Sequence, residues 1–210
     1  MAIDGLILYL TLLVLLTFHE FGHAWTAWKC GDDTAWLQGR VSLNPLVHID
    51  VIGTVILPLL LIFLMPGGFF VGWAKPVPVN IYNLRNRRRD DLLVTLAGPG
   101  MNLLLAIVLV GLARAGDLLH SASLVQACLN GAQLSLLLCF FNLLPIPPLD
   151  GSQVVRNLAG ISHETYYKVA QYGFVILIIT LQMRPVQHLL DTAKMHSFHA
   201  IASAFGLPIA

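Results

Sequence analysis

Charge is scarce in this sequence. Asp, Glu, Lys and Arg together make up only 11% of its 210 residues, whereas 57% of the residues are hydrophobic. A soluble domain usually carries about 25% charged residues, and a soluble chain this apolar would expose patches that promote aggregation. The composition therefore argues against a soluble protein and predicts a membrane protein. The net charge of +1 gives no support to a nucleic-acid partner.

Cysteine is also rare. Cys30, Cys128 and Cys139 form no CxxC pair, and two of them lie in apolar runs. This pattern argues against a disulfide framework and against a cysteine metal cluster. We interpret the three as small residues that pack in the protein core.

Long apolar runs, by contrast, are abundant. A helix needs about 20 apolar residues to span a bilayer. Four segments meet this requirement, at about residues 3–29, 92–113, 122–144 and 166–183. The sequence therefore predicts an all-α polytopic membrane protein with four full transmembrane helices, in a single domain over residues 1–210.

The remaining segments are less regular. Residues 51–65 are apolar but short for a span and contain Pro58, so we expect a short span, a re-entrant hairpin or a buried segment. Residues 36–43 roughly alternate between apolar and polar, and residues 69–80 mix Gly and Pro with valines and aromatics; both patterns predict short strands and turns. The stretch from residue 184 onward is predicted to be a weakly structured surface segment.

The first apolar helix contains the pentapeptide His19-Glu20-Phe21-Gly22-His23. Residues four apart lie on one face of a helix, so two imidazoles can reach one tetrahedral Zn²⁺. Glu20, beside the first histidine, can act as general base toward the water that zinc activates. A random arrangement of this composition gives roughly 0.003 such matches. Polar groups in an apolar helix are costly, which also indicates a function.

A catalytic zinc normally has three protein ligands, and the two histidines leave one position to fill. Asp150 is the leading candidate because it ends an apolar run, residues 140–151, in which three prolines must break the helix. A continuous helix would hold Asn142 and Asp150 about 12 Å apart along its axis, whereas a broken backbone can fold back and bring both near one metal. Glu164 and His48 remain as alternatives for the third ligand.

These motifs resemble those of the site-2 proteases, which are intramembrane zinc metalloproteases. The resemblance covers about residues 18–156 and rests on His19-Glu20-Phe21-Gly22-His23, Ala97-Gly98-Pro99-Gly100-Met101-Asn102, Phe141-Asn142-Leu143-Leu144-Pro145 and Pro148-Leu149-Asp150-Gly151. The stretches 44–50 and 72–80 resemble a compact subgroup without PDZ or nucleotide-sensing domains.

The resemblance implies one zinc ion per chain, bound by His19, His23 and Asp150, with Glu20 as general base. It also places Asn142 at the active site, where it could bind substrate or donate to an oxyanion. An interhelical hydrogen bond is the alternative for Asn142. For Asn102, close helix packing beside Gly98 and Gly100 stands equally against a catalytic role. His48 could act near the site, gate it or be structural.

Two arguments predict the topology. Asp150 and the end of the first helix lie on the same membrane face only if residues 51–65 do not cross fully. In that arrangement one face carries nine Lys and Arg residues and the other carries three, so the face nearer the ligands should be cytoplasmic. We therefore expect a multi-pass protein, in the plasma membrane of a prokaryote, with its site open to the cytoplasm.

The expected activity is hydrolysis of a peptide bond in or near a transmembrane segment of a substrate protein or peptide. An unwound substrate could add as a strand to residues 40–43 or 70–79, although these residues could equally only pack against the helices. A membrane metal transporter or sensor would need several metal sites along a path, and the sequence offers one motif with a general base. A relative that binds membrane proteins without cutting them would have lost Glu20 or a ligand. The oligomeric state stays open.

Overall fold

The computed structural model describes residues 2–64 and 72–207. The described part of the chain is helical and contains no β-strand. Its α-helices, in chain order, are α1 (Ala2–Lys29), α2 (Thr34–Leu37), α3 (Leu57–Leu64), α4 (Arg87–Leu118), α5 (Ala122–Asn142), α6 (Asp150–Ala159), α7 (His163–Ala170), α8 (Gly173–Leu181) and α9 (Arg184–Ala204). A 3₁₀ turn, Pro45–His48, and a π-helix, Val51–Ile56, precede α3. The all-α prediction is confirmed.

Three of these helices are long and apolar enough to cross a membrane: Gly5–Lys29, Arg87–Leu118 and Ala122–Asn142. Among the described residues, α8 and α9 give a fourth crossing if they act as one span, and the chain bends by 79° between them. The predicted continuous span over residues 166–183 is instead divided between α7 and α8. Alone, the nine residues of α8 extend about 14 Å, less than half the thickness of the hydrocarbon core.

The chain forms two compact units, Met1–Gly98 and Pro99–Ala210. In the first unit, α1 contacts α2, the 3₁₀ turn and α3. A small apolar cluster of Ala27, Leu84 and Val94 ties the end of α1 to the start of α4. Residues 72–80, the extended segment, form no helix or strand, and Pro76 and Pro78 favour an extended backbone at the residues before them. Their hydrogen bonds go to the backbone of His48 and Gly53 and to side chains rather than to a partner strand.

The predicted strands are therefore wrong for the residues that the structure describes. Residues 36–43 form the end of α2 and a turn, in which Gly39 adopts a φ of +67°. Left-handed backbone ends the helix and cannot continue as a strand. In residues 72–80, Pro76 and Pro78 lack the N–H that a ladder needs. Residues 69–71 of the second predicted strand region lie outside the described residues.

The short apolar segment is helical over residues 51–64, and Met65 lies outside the described residues. Asp50 begins it by accepting hydrogen bonds from the backbone N–H groups of Ile52 (3.1 Å) and Gly53 (2.7 Å). A carboxylate at this position satisfies N–H groups that have no partner in the first turn.

In the second unit, α5 packs along α9. The core that they share with residues of α4 consists of Ala106, Val110, Ala113, Cys128, Ala132, Leu136, Phe198, Ala202 and Leu207. Four of these residues are alanines, which let helix backbones approach closely. The prediction of a weakly structured tail is wrong, because α9 is a 21-residue helix whose Phe198 is buried. Leu190, Phe198 and Ala202 recur at helical spacing, but polar residues between them hide the period in the sequence.

Candidate active site

The two histidines of the pentapeptide lie one turn apart on α1, in the first unit. Their Nε2 atoms are 3.1 Å apart. His19 is buried, whereas His23 is partly buried. In a tetrahedral zinc site with Zn–N bonds of about 2.05 Å, two ligand nitrogens stand about 3.3 Å apart. The separation and the donor type therefore fit a zinc ion.

The ring of His23 is oriented by the backbone of α4. Its Nδ1–H donates to the carbonyl oxygen of Val94, with Nδ1 and oxygen 2.7 Å apart. A hydrogen bond at Nδ1 fixes the tautomer and leaves the lone pair on Nε2, and metal-binding histidines are usually held in this way. Sequence reasoning missed this contact because a backbone carbonyl leaves no signature in the sequence.

Gly98 gives the two imidazoles their space. A Cβ atom at this position would lie 2.3 Å from Nε2 of His23 and 2.7 Å from Cε1 of His19. Real Cβ atoms do not approach other atoms so closely, so the site requires glycine here. In the sequence, Gly98 is of note only as a neighbour of Asn102, for which close helix packing is one alternative; the structure places Gly98 against the histidine pair.

Glu20 is held by the extended segment. The backbone N–H of Val77 donates to Oε2 of Glu20 at 3.0 Å. This bond fixes one carboxylate oxygen of Glu20, the residue that directly follows His19 in the chain. The first unit therefore assembles the two histidines and the general base that the pentapeptide predicts.

Asn142 and Asp150 belong to the second unit, where α5 ends and α6 begins. The proline-rich link between them folds back on itself, so that a Cβ on Gly151 would lie 2.1 Å from the carbonyl oxygen of Leu143. The break and the fold-back that the prolines predict are thus present. Asp150, the first residue of α6, is partly buried. The Nδ2 group of Asn142 donates to the carbonyl of Leu138 at 3.0 Å, which uses one of its two N–H donors.

The remaining residues that the sequence suggested for the site, Glu164, His48 and Asn102, form an ion pair or hydrogen bonds elsewhere in the protein. Glu164 is exposed and pairs with Lys168 in α7 at 2.8 Å. The Nε2 atom of His48, which is buried, lies 2.8 Å from the carbonyl of Ser42. Burial lowers the pKa of His48, and the nearby Arg40 lowers it further, whereas the bond to Ser42 and the charge of Glu20 oppose the shift.

Asn102 is buried in α4. Its backbone carbonyl accepts a hydrogen bond from the hydroxyl of Ser135 at 2.7 Å, which connects α4 to α5.

Comparison with known proteins identifies a family for the chain. The sequence model of Peptidase family M50 matches residues 7–118 and 110–181. A Bacillus subtilis protein named "Putative zinc metalloprotease YwhC" is 39% identical over 180 residues, covering 82% of this chain and 78% of that protein. "Putative zinc metalloprotease Rip2" of Mycolicibacterium smegmatis is 37% identical over 172 residues, 80% of this chain and 64% of its own length. No solved structure matches the chain.

Proposed function

Because the chain belongs to peptidase family M50, the site-2 protease family, we propose that it is an intramembrane endopeptidase that cleaves substrates in or near their transmembrane segments. It is a zinc metalloprotease of the site-2 type and an integral membrane protein. The observation that carries the proposal is the histidine pair of α1. The Nε2 atoms of His19 and His23 lie 3.1 Å apart on one face of an apolar helix, and Glu20 directly follows His19 in the chain.

We propose that one zinc ion binds per chain, through Nε2 of His19 and His23 and a carboxylate oxygen of Asp150. When bound, zinc supplies Lewis acidity toward a peptide carbonyl and makes a water molecule acidic near neutral pH. Glu20 takes the proton from that water and returns it to the leaving amine. Its contact with the Val77 N–H holds the carboxylate in place for both transfers.

Asn142 is proposed to bind the substrate backbone or to donate to the developing oxyanion through its second amide N–H. An amide held by its own helix is a rigid donor, as electrostatic stabilisation requires. The alternative is that Asn142 only stabilises the end of α5 through Leu138.

A helical substrate must unwind before its amides can be attacked. We propose that part of the extended segment, residues 72–79, receives the unwound substrate by β-addition. Support comes from Pro76 and Pro78, which favour an extended backbone in this segment, and from its contact with Glu20. Its alternative role is packing alone, since the amide groups of Trp73 and Lys75 already bond within the unit.

For localisation, we propose the plasma membrane of a prokaryote, with the site open to the cytoplasm and with residues 51–64 not crossing the bilayer. The support is the excess of Lys and Arg on the face predicted to lie nearer the ligands.

The function is tested by Glu20→Gln in a cleavage assay with a transmembrane reporter substrate. We expect cleavage to stop while the zinc content of the purified protein stays unchanged, because Glu20 moves protons and is not a ligand. Asp191→Asn is the control, since Asp191 is exposed, pairs with Lys194 in α9 at 2.9 Å and is not a candidate ligand. Persistent cleavage by Glu20→Gln would overturn the proposal. Metal transport by that variant would favour a transporter, and binding of the reporter without cleavage by the wild type would favour a non-cleaving relative.

A further inference from the structure

Arg40 is a buried cation in the turn after α2. Its side chain is 5% exposed, and its guanidinium donates to the carbonyl oxygens of Lys75 (2.6 Å) and Pro76 (3.4 Å). Burying a charged group is costly unless it is well hydrogen-bonded. A planar guanidinium can hold two neighbouring carbonyls at once, which an ammonium does less well. The position of Arg40 is thus tied to the path of the extended segment.

The two carbonyls that Arg40 holds come directly before the amide that contacts Glu20. The peptide between Pro76 and Val77 presents its carbonyl to Arg40 and its N–H to Oε2 of Glu20. A peptide group is planar, so fixing its oxygen also fixes the direction of its N–H. Pro76 and Pro78 flank Val77 and restrict the backbone on both sides.

The peptide group before Lys75 is held by a different part of the unit, the 3₁₀ turn that contains His48. The N–H of Lys75 donates to the backbone carbonyl of His48 at 2.9 Å, and the ring of His48 is anchored on Ser42. Further along the chain, Thr54 Oγ1 donates to the carbonyl of Trp73 at 2.7 Å. These contacts anchor the start of the segment, whereas Arg40 is the side chain that bonds to the peptide next to Glu20.

Arg40 also interacts electrostatically with Glu20. Burial lowers the pKa of Arg40, and the negative charge of Glu20 opposes that shift. The guanidinium keeps its proton under all physiological conditions, so its charge toward Glu20 is permanent.

We propose that Arg40 is a positioning residue for the general base. By holding the carbonyls of Lys75 and Pro76, it directs the Val77 N–H at Glu20 and so sets where the carboxylate stands. This inference rests on the proposed function, because it gives Glu20 its catalytic role. It goes beyond the family motifs, none of which includes Arg40.

The test compares Arg40→Met and Arg40→Lys with the wild type, using cleavage kinetics and the zinc content of the same preparations. We expect Arg40→Met to lower kcat about tenfold or more, since small displacements of a catalytic group have effects of this order. Bound zinc should stay unchanged, because Arg40 contacts none of the proposed ligands. The comparison is made on kcat at saturating reporter, since the segment that Arg40 holds is also proposed to bind the substrate. Arg40→Lys should recover part of kcat. Arg114→Met is the control, since Arg114 pairs with Asp117 at the far end of α4.

A second variant tests the route of the effect. Val77→Pro removes the N–H that Glu20 accepts, and proline suits a position between Pro76 and Pro78, where an extended backbone is favoured. It should lower kcat with zinc retained, and adding Arg40→Met should lower kcat by no more than about a further twofold, as for two changes on one path. If Arg40→Met does not fold, Val77→Pro alone tests whether the Val77 N–H positions Glu20.

Several results would overturn the inference: wild-type kcat in folded Arg40→Met, wild-type kcat in Val77→Pro, multiplying losses in the double variant, or zinc loss in proportion to kcat. The two proposals fail differently. If Glu20→Gln still cleaves, the proposed function is wrong; if Glu20→Gln is inactive but Arg40→Met is fully active, only the role of Arg40 is wrong.

Discussion

Gly98 of α4 lies directly against the ring of His23, so close that a Cβ at Gly98 would stand 2.3 Å from the Nε2 atom that we assign to zinc. The same helix also holds the other side of the ring, through the Val94 carbonyl. One turn of α4 therefore both orients the imidazole and leaves room for it.

Gly98→Ala should displace His23 and lower the affinity for zinc. The added methyl group would overlap the ligand atom itself, and a metal ligand moved off its geometry binds less well, with losses of about 10–100-fold for changes to the groups that orient a ligand. The measurement is the zinc content after dialysis against a chelator of graded strength, together with reporter cleavage.

Gly100→Ala is the matched control, because a Cβ there meets nothing within 4 Å. It should keep zinc and activity, and stability should rise by up to about 1 kcal/mol, since alanine favours a helix over glycine. If Gly98→Ala bound zinc as tightly as Gly100→Ala, the steric role assigned to Gly98 would be wrong.

Asp150→Asn should reduce bound zinc below one ion per chain. A neutral amide is a weaker ligand than a carboxylate, and His19 and His23 alone give an incomplete set. The zinc content of protein purified in limiting zinc provides the measurement, with Asp117→Asn on the surface as the control. Full zinc occupancy in Asp150→Asn would point to the alternatives, which Glu164→Gln and His48→Asn would then distinguish.

The sequence suffices to propose the residues of the site, but it does not reveal the groups that orient them. Helical spacing predicts that His19 and His23 lie on one face of α1 beside Glu20, and the prolines before Asp150 predict a broken helix. The groups that orient these residues are the Val94 carbonyl, the Val77 amide and the space at Gly98. Backbone groups and empty volume depend on tertiary packing, and no local pattern encodes them.

In the fold, too, some elements could be predicted from the sequence and others could not. Length and hydropathy suffice for α1, α4 and α5, because each is one long apolar run. They fail for the region of α8, because a turn at residues 171–172 divides the apolar run between α7 and α8. They also fail for α9, where tertiary contacts with α5 stabilise a helix of mixed composition. They also fail for residues 36–43, where alternation over a few residues is too short a signal to exclude a helix end.

The proposed topology predicts which face each loop occupies. Gln38 and Arg87 are exposed and should both be cytoplasmic, whereas His120, between α4 and α5, should lie outside. Arg40 itself is unsuitable for labelling because it is buried. Cysteines at positions 38, 87 and 120 in a Cys30→Ala background can be labelled with an impermeant maleimide in inverted and right-side-out vesicles. Opposite accessibility of positions 38 and 87 would show that residues 51–64 and their continuation cross the membrane.

Asp32 predicts how stability depends on pH. The residue is fully buried and accepts hydrogen bonds from Thr34, from the Asn80 N–H at 2.7 Å and from Asn83 Nδ2 at 3.0 Å. Burial alone would raise the pKa of Asp32, but these hydrogen bonds outweigh it and bring the pKa below its ordinary value. The carboxylate thus joins the end of α1 to the segment that follows Val79.

A carboxyl group whose pKa is lower in the folded state stabilises the fold above its unfolded pKa, about 3.9, and this stabilisation is lost as the pH falls through the folded value. Asp32→Asn should therefore destabilise the protein at pH 7 by about 1–3 kcal/mol, because an amide places an N–H group against existing donors. The difference from the wild type should shrink below about pH 4. Unfolding midpoints in detergent across this pH range provide the measurement. Asp33→Asn, at the exposed neighbour, should have little effect at any pH, and equal losses in the two variants would contradict the role of Asp32.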